Sequence, residues 1–369
     1  MNLPSSPSTG PWGAPPGGPH TPTPAPGAPP PPPPLTDSGP LLAPSPAASF
    51  LGPHHLVHRP DTPEGFLLAA TPPGRHRFGF SAQLPERHAL FSDSTAPFHD
   101  LLYPMESLRQ MAVFATGHYF RVPQNRRILL ADCTLTVTAL TPWERTSPTA
   151  QLTLDLDLTP TDVVKGVPRA MDCKAAINIE GEQCGKAAAR LVFLMPGVYR
   201  NHRAHSRQES ERSADGHSGL PAGHEVPGPE LVGRRMSRNV LIGLPLEGDD
   251  STLVFPVNIP AAREVLPDSG SEVPAALFLE VSRQAALFGV GELYHLAPAH
   301  AVLTDWRATF RGFAEPGLPL RCVVRPRAAD ASGAVHRDAA GRPVAELDLT
   351  FTQGIRVVAA MSTSVLQIC

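Results

Sequence analysis

The chain has 369 residues, 41% of them hydrophobic, which suffices for two domains of ordinary size with a large core. A formal net charge of −3 gives no reason to expect nucleic acid or an anionic membrane as partner, and no apolar run approaches the roughly 18 residues of a membrane helix. Five cysteines, odd in number and without a C-x-x-C, behind a proline-rich N-terminus in place of a secretory leader, point to free thiols in a reducing cytoplasm.

Residues 1–50 are dominated by Pro, Gly, Ser and Thr, including the run Pro29 to Pro34, and hold too few apolar groups to offset the entropy of ordering. They read as a disordered tail. A first domain is expected over 51–199. Within it, Arg75 to Leu84 alternates as a half-buried strand, the turn-rich stretch Pro85 to Pro97 leads to Phe98-His99-Asp100, and a helix runs from Leu101 or Pro104 to Phe120, stopped by Arg121-Val122-Pro123. Strands are expected over Arg127 to Leu140, Thr149 to Leu158, Met171 to Glu180 and Ala187 to Met195.

Residues 200–235 are polar and aperiodic and read as an interdomain linker, with His202, His205, His217 and His224 as solvated side chains and not metal ligands. A second domain is expected over 236–369. It restarts at Ser237 to Leu241, continues with a strand at Thr252 to Ile259 and a second helix, and ends with strands at Ala301 to Phe313, Leu318 to Pro326 and Pro343 to Thr352. The pair Gly289-Val290-Gly291 reads as the C-cap of that helix.

The two domains share more than their order of elements. Glu106-x-x-Arg109-Gln110 on the first helix returns as Glu280-x-x-Arg283-Gln284 on the second, an offset of 174 (280 − 106). In each copy the i, i+3 and i+4 positions place a carboxylate, a guanidinium and an amide on one face of an otherwise apolar helix. Leu101, Met105, Leu108, Ala112 and Ala115 form the first apolar stripe. Downstream, Ile128 to Asp132 is echoed by Ala301 to Asp305 at nearly the same distance, so the chain is a tandem repeat. One helix followed by consecutive antiparallel strands is α+β. The architecture that fits is a double hotdog: two curved antiparallel sheets, each wrapped around a central helix, side by side in one chain.

The residues that carry the repeat resemble a known family, the A-factor biosynthesis hotdog proteins, which are γ-butyrolactone autoregulator synthases of actinomycete secondary metabolism. The likeness lies in Leu56-Val57-His58-Arg59, His99-Asp100-Leu101-Leu102 and Glu106-x-x-Arg109-Gln110 of the first half. In the second half it lies in Arg238-Asn239-Val240, Val273-Pro274 and Glu280-x-x-Arg283-Gln284-Ala285. The chain departs from the family at Glu272-Val273-Pro274-Ala275, where His-Val-Pro-Gly is usual.

The resemblance implies an acyltransferase that moves a β-ketoacyl group from an acyl carrier protein thioester to dihydroxyacetone phosphate. No cofactor would be bound beyond the phosphopantetheine carried by the donor, and no metal, nucleic acid or membrane would take part. Glu106 and Arg283 are the catalytic residues the resemblance implies. His99, Arg109, Gln110 and Gln284 are candidates for substrate binding or orientation, and Glu280 reads as structural.

On chemical grounds, a carboxylate among apolar groups suits the removal of a hydroxyl proton, an arginine fork suits a phosphate or an oxyanion, and a helix N-terminus suits the oxyanion of a thioester under attack. The alternatives are a hotdog dehydratase, hydratase or thioesterase, and a silent acyl-binding protein.

Overall fold

The computed structural model describes residues 77–147, 150–214, 225–246, 251–266, 273–327 and 335–368. The expected tail, Leu56 to Arg59, His217, His224, Glu272 and Cys369 lie outside them.

Period-two alternation builds the first half-sheet. β1 (Arg77–Gln83), β3 (Gln151–Val164), β4 (Val167–Ile179), β5 (Glu182–Leu194) and β2 (Arg127–Val137) are neighbours in that spatial order, all antiparallel. Leu152, Leu154, Leu156 and Leu158 of β3 are buried on one face, as alternation dictates. β3 and β4 run past their expected ends because Lys165 and Gly166, both at positive φ, close a two-residue hairpin between Val164 and Val167.

The second half mirrors this order as β7 (Ala301–Phe310), β11 (Arg356–Gln367), β10 (Pro343–Gln353), β8 (Arg321–Pro326) and β6 (Leu253–Pro256), with the short β9 (His336–Arg337) paired to β10. β9 and β11 were not expected from the sequence.

The halves join through β2 and β7 into one eleven-stranded sheet. Asp132 lies opposite Thr309, Thr134 opposite Arg307 and Thr136 opposite Asp305. The repeat equates Asp132 with Asp305, an offset of 173 (305 − 132), and the same offset equates Thr136 with Thr309 and Thr134 with Arg307. The register is therefore self-complementary about Thr134 and Arg307, as an isologous dimer contact would be. Covering each half's open edge with the other removes two unpaired ladders.

The first helix, α1 (Leu102–His118), buries Leu102, Met105, Leu108, Met111, Ala112 and Ala115. α4 (Ala275–Tyr294), the second central helix, is rich in the good helix formers Ala and Leu and is buried continuously from Leu277 to Val290. It does not stop at Gly289 to Gly291, as expected. Those glycines lie inside it, where Val324 and Pro298 pack close, and His295 in the left-handed conformation ends it.

Two further helices correct the sequence reading. α2 (Pro196–Ala214) occupies the first part of the stretch read as a linker. It is pinned by Arg203 to Glu315 at 3.1 Å, by Arg356 to Ser206 and Ser210, and by Tyr199 edge-on to Phe313. α3 (Ile259–Val265) cuts the expected Thr252 to Ile259 strand short at Pro256; Asn258 caps it by accepting from the Ala261 N–H.

The rest of that stretch is interior. A turn of helix at Pro229–Val232 ends in Gly233, whose φ of 69° is left-handed, and Arg234 behind it is 0% exposed. A Cβ on Gly233 would lie 2.6 Å from Leu287 Cδ1 and 2.9 Å from Arg283 Nη1. Gly233→Ala should therefore lower stability by about 1–3 kcal/mol, read as a lower urea midpoint at unchanged m-value.

Candidate active site

The two repeated trios have the same internal geometry and different surroundings. On α1, the Arg109 Nε and Nη2 groups donate to Glu106 at 2.9 and 2.7 Å, and the Gln110 amide donates at 3.0 Å. On α4, Arg283 donates to Glu280 at 3.0 and 2.9 Å and Gln284 at 2.6 Å. Glu280 then receives two more bonds, from Arg234 Nε and Nη2 at 2.9 and 2.6 Å. A carboxylate offers about four lone pairs. Glu280 is saturated, whereas Glu106, with three donors, retains acceptor capacity.

Burial alone would raise the Glu280 carboxyl, but the Arg234 and Arg283 guanidiniums outweigh it and hold it down at about 2. Glu280 is ionised, enclosed and structural.

Space follows the same division. Glu106 and Arg109 line a cleft of about 700 Å³ whose apolar wall includes Phe91, Leu130, Val192, Phe278 and Phe310. Across it lies the N-terminus of α4, through Val273, Pro274, Ala275 and Ala276. Pro274 provides no side-chain cap, so the amide dipoles of this 20-residue helix face the cleft unopposed.

The related position beside α4 is a cavity of only about 40 Å³, lined by Thr95, His99, Asp100, Gly233, Arg283 and Leu287 among others. The offset that carries Glu106 to Glu280 carries Asp100 to Pro274. Asp100 fills the N-terminus of α1 with its own carboxylate: Oδ1 accepts from the Leu102 N–H at 2.9 Å and Oδ2 lies 2.9 Å from Arg234 Nη1. One site of the duplicated pair is thus open and the other closed from within.

This arrangement separates residues that were expected together. Glu106 lines the large cleft and Arg283 does not: its guanidinium is taken by Glu280 and by the Val232 carbonyl at 3.2 Å, so the two do not share a pocket. Nor does Glu106 stand alone among apolar groups, since Arg109 and Gln110 hold it.

Gln284 is fully buried between the Asn239 carbonyl and the Leu241 N–H, away from both cavities. His99 joins Arg283 in the small cavity, where its Nε2 is buried without a hydrogen bond. Burial, with Arg145 nearby, pushes His99 down to about 4. It is neutral at pH 7. Since the unfolded chain binds this proton near pH 6.5 and the folded chain only near 4, stability should fall as pH is lowered through that window. His99→Gln should flatten that part of the stability profile.

The thiols of Cys133 and Cys173 are buried and pushed up to about 12 by that burial, so neither is a nucleophile. Among the described residues no helix is long and apolar enough to cross a membrane.

Two mirrored antiparallel half-sheets, each with one central helix, define a double hotdog protein with one open cleft. The A-factor biosynthesis hotdog domain matches residues 51–195 and 222–368, and the chain belongs to that family. No curated protein matches it in sequence.

Among solved structures it is similar to the 12:0-ACP thioesterase from Umbellularia californica, at 10% identity and a TM-score of 0.45 over 78% of this chain and 93% of that one. A putative oleoyl thioesterase from Lactobacillus plantarum gives 10% and 0.44 over 82% and 98%. A MaoC-like dehydratase gives 12% and 0.42 over 74% and 85%.

Proposed function

We propose that the protein is an acyltransferase that moves a β-ketoacyl group from an acyl carrier protein thioester to the hydroxyl of dihydroxyacetone phosphate. The product, a β-ketoacyl phosphate ester, is the precursor of a butenolide and then of a γ-butyrolactone signal. One observation carries this reading: a carboxylate with spare acceptor capacity, Glu106, faces an uncapped helix N-terminus across an apolar cleft large enough for an acyl chain.

Glu106 accepts the hydroxyl proton as the oxygen attacks the thioester carbon. The α4 N-terminus stabilises the oxyanion that forms. The C–S bond then breaks, and the departing thiolate takes the proton back from Glu106. Arg109 and Gln110 orient the carboxylate. Arg283, Gln284 and Glu280 belong to the interior pairing and not to the reaction, and His99 serves the closed cavity.

The test is product identification by mass after incubation with a β-ketoacyl carrier thioester, with and without dihydroxyacetone phosphate. The expected product is an ester that appears only with the acceptor. Free β-keto acid formed regardless of acceptor would make the protein a thioesterase, and ligand binding without any product would make it a silent acyl binder.

A further inference from the structure

The chain as a whole carries −3, yet the cleft beside Glu106 is basic. Two carboxylates line it and both have cations already: Glu106 holds Arg109, and Glu209 lies 3.4 Å from Arg356 and 3.2 Å from His205. Arg126, Arg127 and Arg311 line it too, and among the described residues none of these three has a carboxylate within ion-pairing distance. A guanidinium does not lose its proton in a protein, so three positive charges in the cleft are unneutralised by the described chain.

These cations are far apart in sequence and are gathered by the sheet. The antiparallel register that sets Asp132 opposite Thr309 brings the start of β2, with Arg126 and Arg127, to the end of β7, which Arg311 follows. Arg127 is positioned as well as charged, its guanidinium 5.4 Å from the centre of the Tyr199 ring on α2. With Arg200, Arg126 and Arg127 also wall an adjoining recess of about 440 Å³.

We propose that Arg126, Arg127 and Arg311 bind the phosphate ester of a substrate whose reactive end lies at Glu106. This rests on the acyl-transfer reading, in which both reactants carry such a group: a monoester on dihydroxyacetone phosphate and a diester on the phosphopantetheine arm of the carrier. Planar forks in a cluster match phosphate oxygens in geometry and in charge. The assignment gives these residues the anchoring role that Arg283 cannot fill from outside the cleft.

Binding is read first, without turnover. Calorimetric titration of the wild type with dihydroxyacetone phosphate, and separately with phosphopantetheine, is expected to show binding of at least one. That binding should weaken at least about tenfold in Arg311→Gln and in the double variant R126Q/R127Q, and return in part in Arg311→Lys. The ligand that responds identifies the source of the phosphate.

If neither ligand binds the wild type, or the variants bind as the wild type does, the proposal fails. Turnover is read separately. Ester formed at unchanged KM by R126Q/R127Q/R311Q would overturn the phosphate site and leave acyl transfer standing. Arginine-dependent binding with no ester would overturn acyl transfer and leave the phosphate site standing.

Discussion

Replacing Arg234 by methionine is expected to destabilise the protein by about 3–5 kcal/mol, the cost of breaking a buried ion pair by removing one partner. Arg234 and Glu280 are both 0% exposed, and Arg234 Nη1 also donates to the Leu90 carbonyl at 2.6 Å and sits 2.9 Å from Asp100. The substitution leaves Glu280 with Arg283 alone, Asp100 without its cation and a carbonyl without its donor, none of them within reach of water. Since a domain's whole stability is about 5–15 kcal/mol, the variant should unfold at a far lower urea concentration or fail to accumulate folded.

The contrast with Arg109→Met is the control. Arg109 makes the same contacts to Glu106 with its side chain 23% exposed, and its loss should cost less than about 1 kcal/mol. Equal effects of the two substitutions would show that the interior network does not hold the halves together. Because Glu280 is depressed to about 2, its contribution is complete above its ordinary 4.5 and is lost as pH falls from there towards 2.

Glu106→Gln should lower kcat by about 10²–10⁴ with KM changed little, the range for loss of a positioned general base. The amide keeps the volume and can still accept from Arg109, so the fold and the cleft persist. A variant that binds acyl thioester normally and no longer transfers it separates an enzyme from a binding protein. A variant that turns over like the wild type would remove Glu106 from the chemistry. Glu280→Gln provides the opposite pattern: a large loss of stability, with the activity of whatever folds left intact.

Much of this molecule was legible in the chain. The Glu-x-x-Arg-Gln repeat placed both central helices, period-two alternation placed β1 to β5 and most of the second half-sheet, and duplication implied that each half covers the other's edge. Local patterns missed what depends on distant partners. α2 buries Ser206 and Ser210, small and polar, so no apolar period marks it; its signal was the pairs His205 to Glu209 and Arg207 to Glu211 at i, i+4. β11 was signalled only by the Gly354 turn that follows β10.

The identical trios could not be ranked from sequence, because what distinguishes them is Arg234, more than forty residues before α4 in a polar stretch, and Asp100 at the mouth of α1. The offset from Asp100 to Pro274 was readable in the chain. Its meaning needed the two helices placed with each N-terminus beside the other's carboxylate.

The central claim is that duplication left one working acyl cleft, at Glu106, and closed its twin. The most direct measurement is the number of molecules of a non-hydrolysable β-ketoacyl pantetheine analogue bound per chain at saturation. One per chain is the predicted result; two, or none, would contradict it.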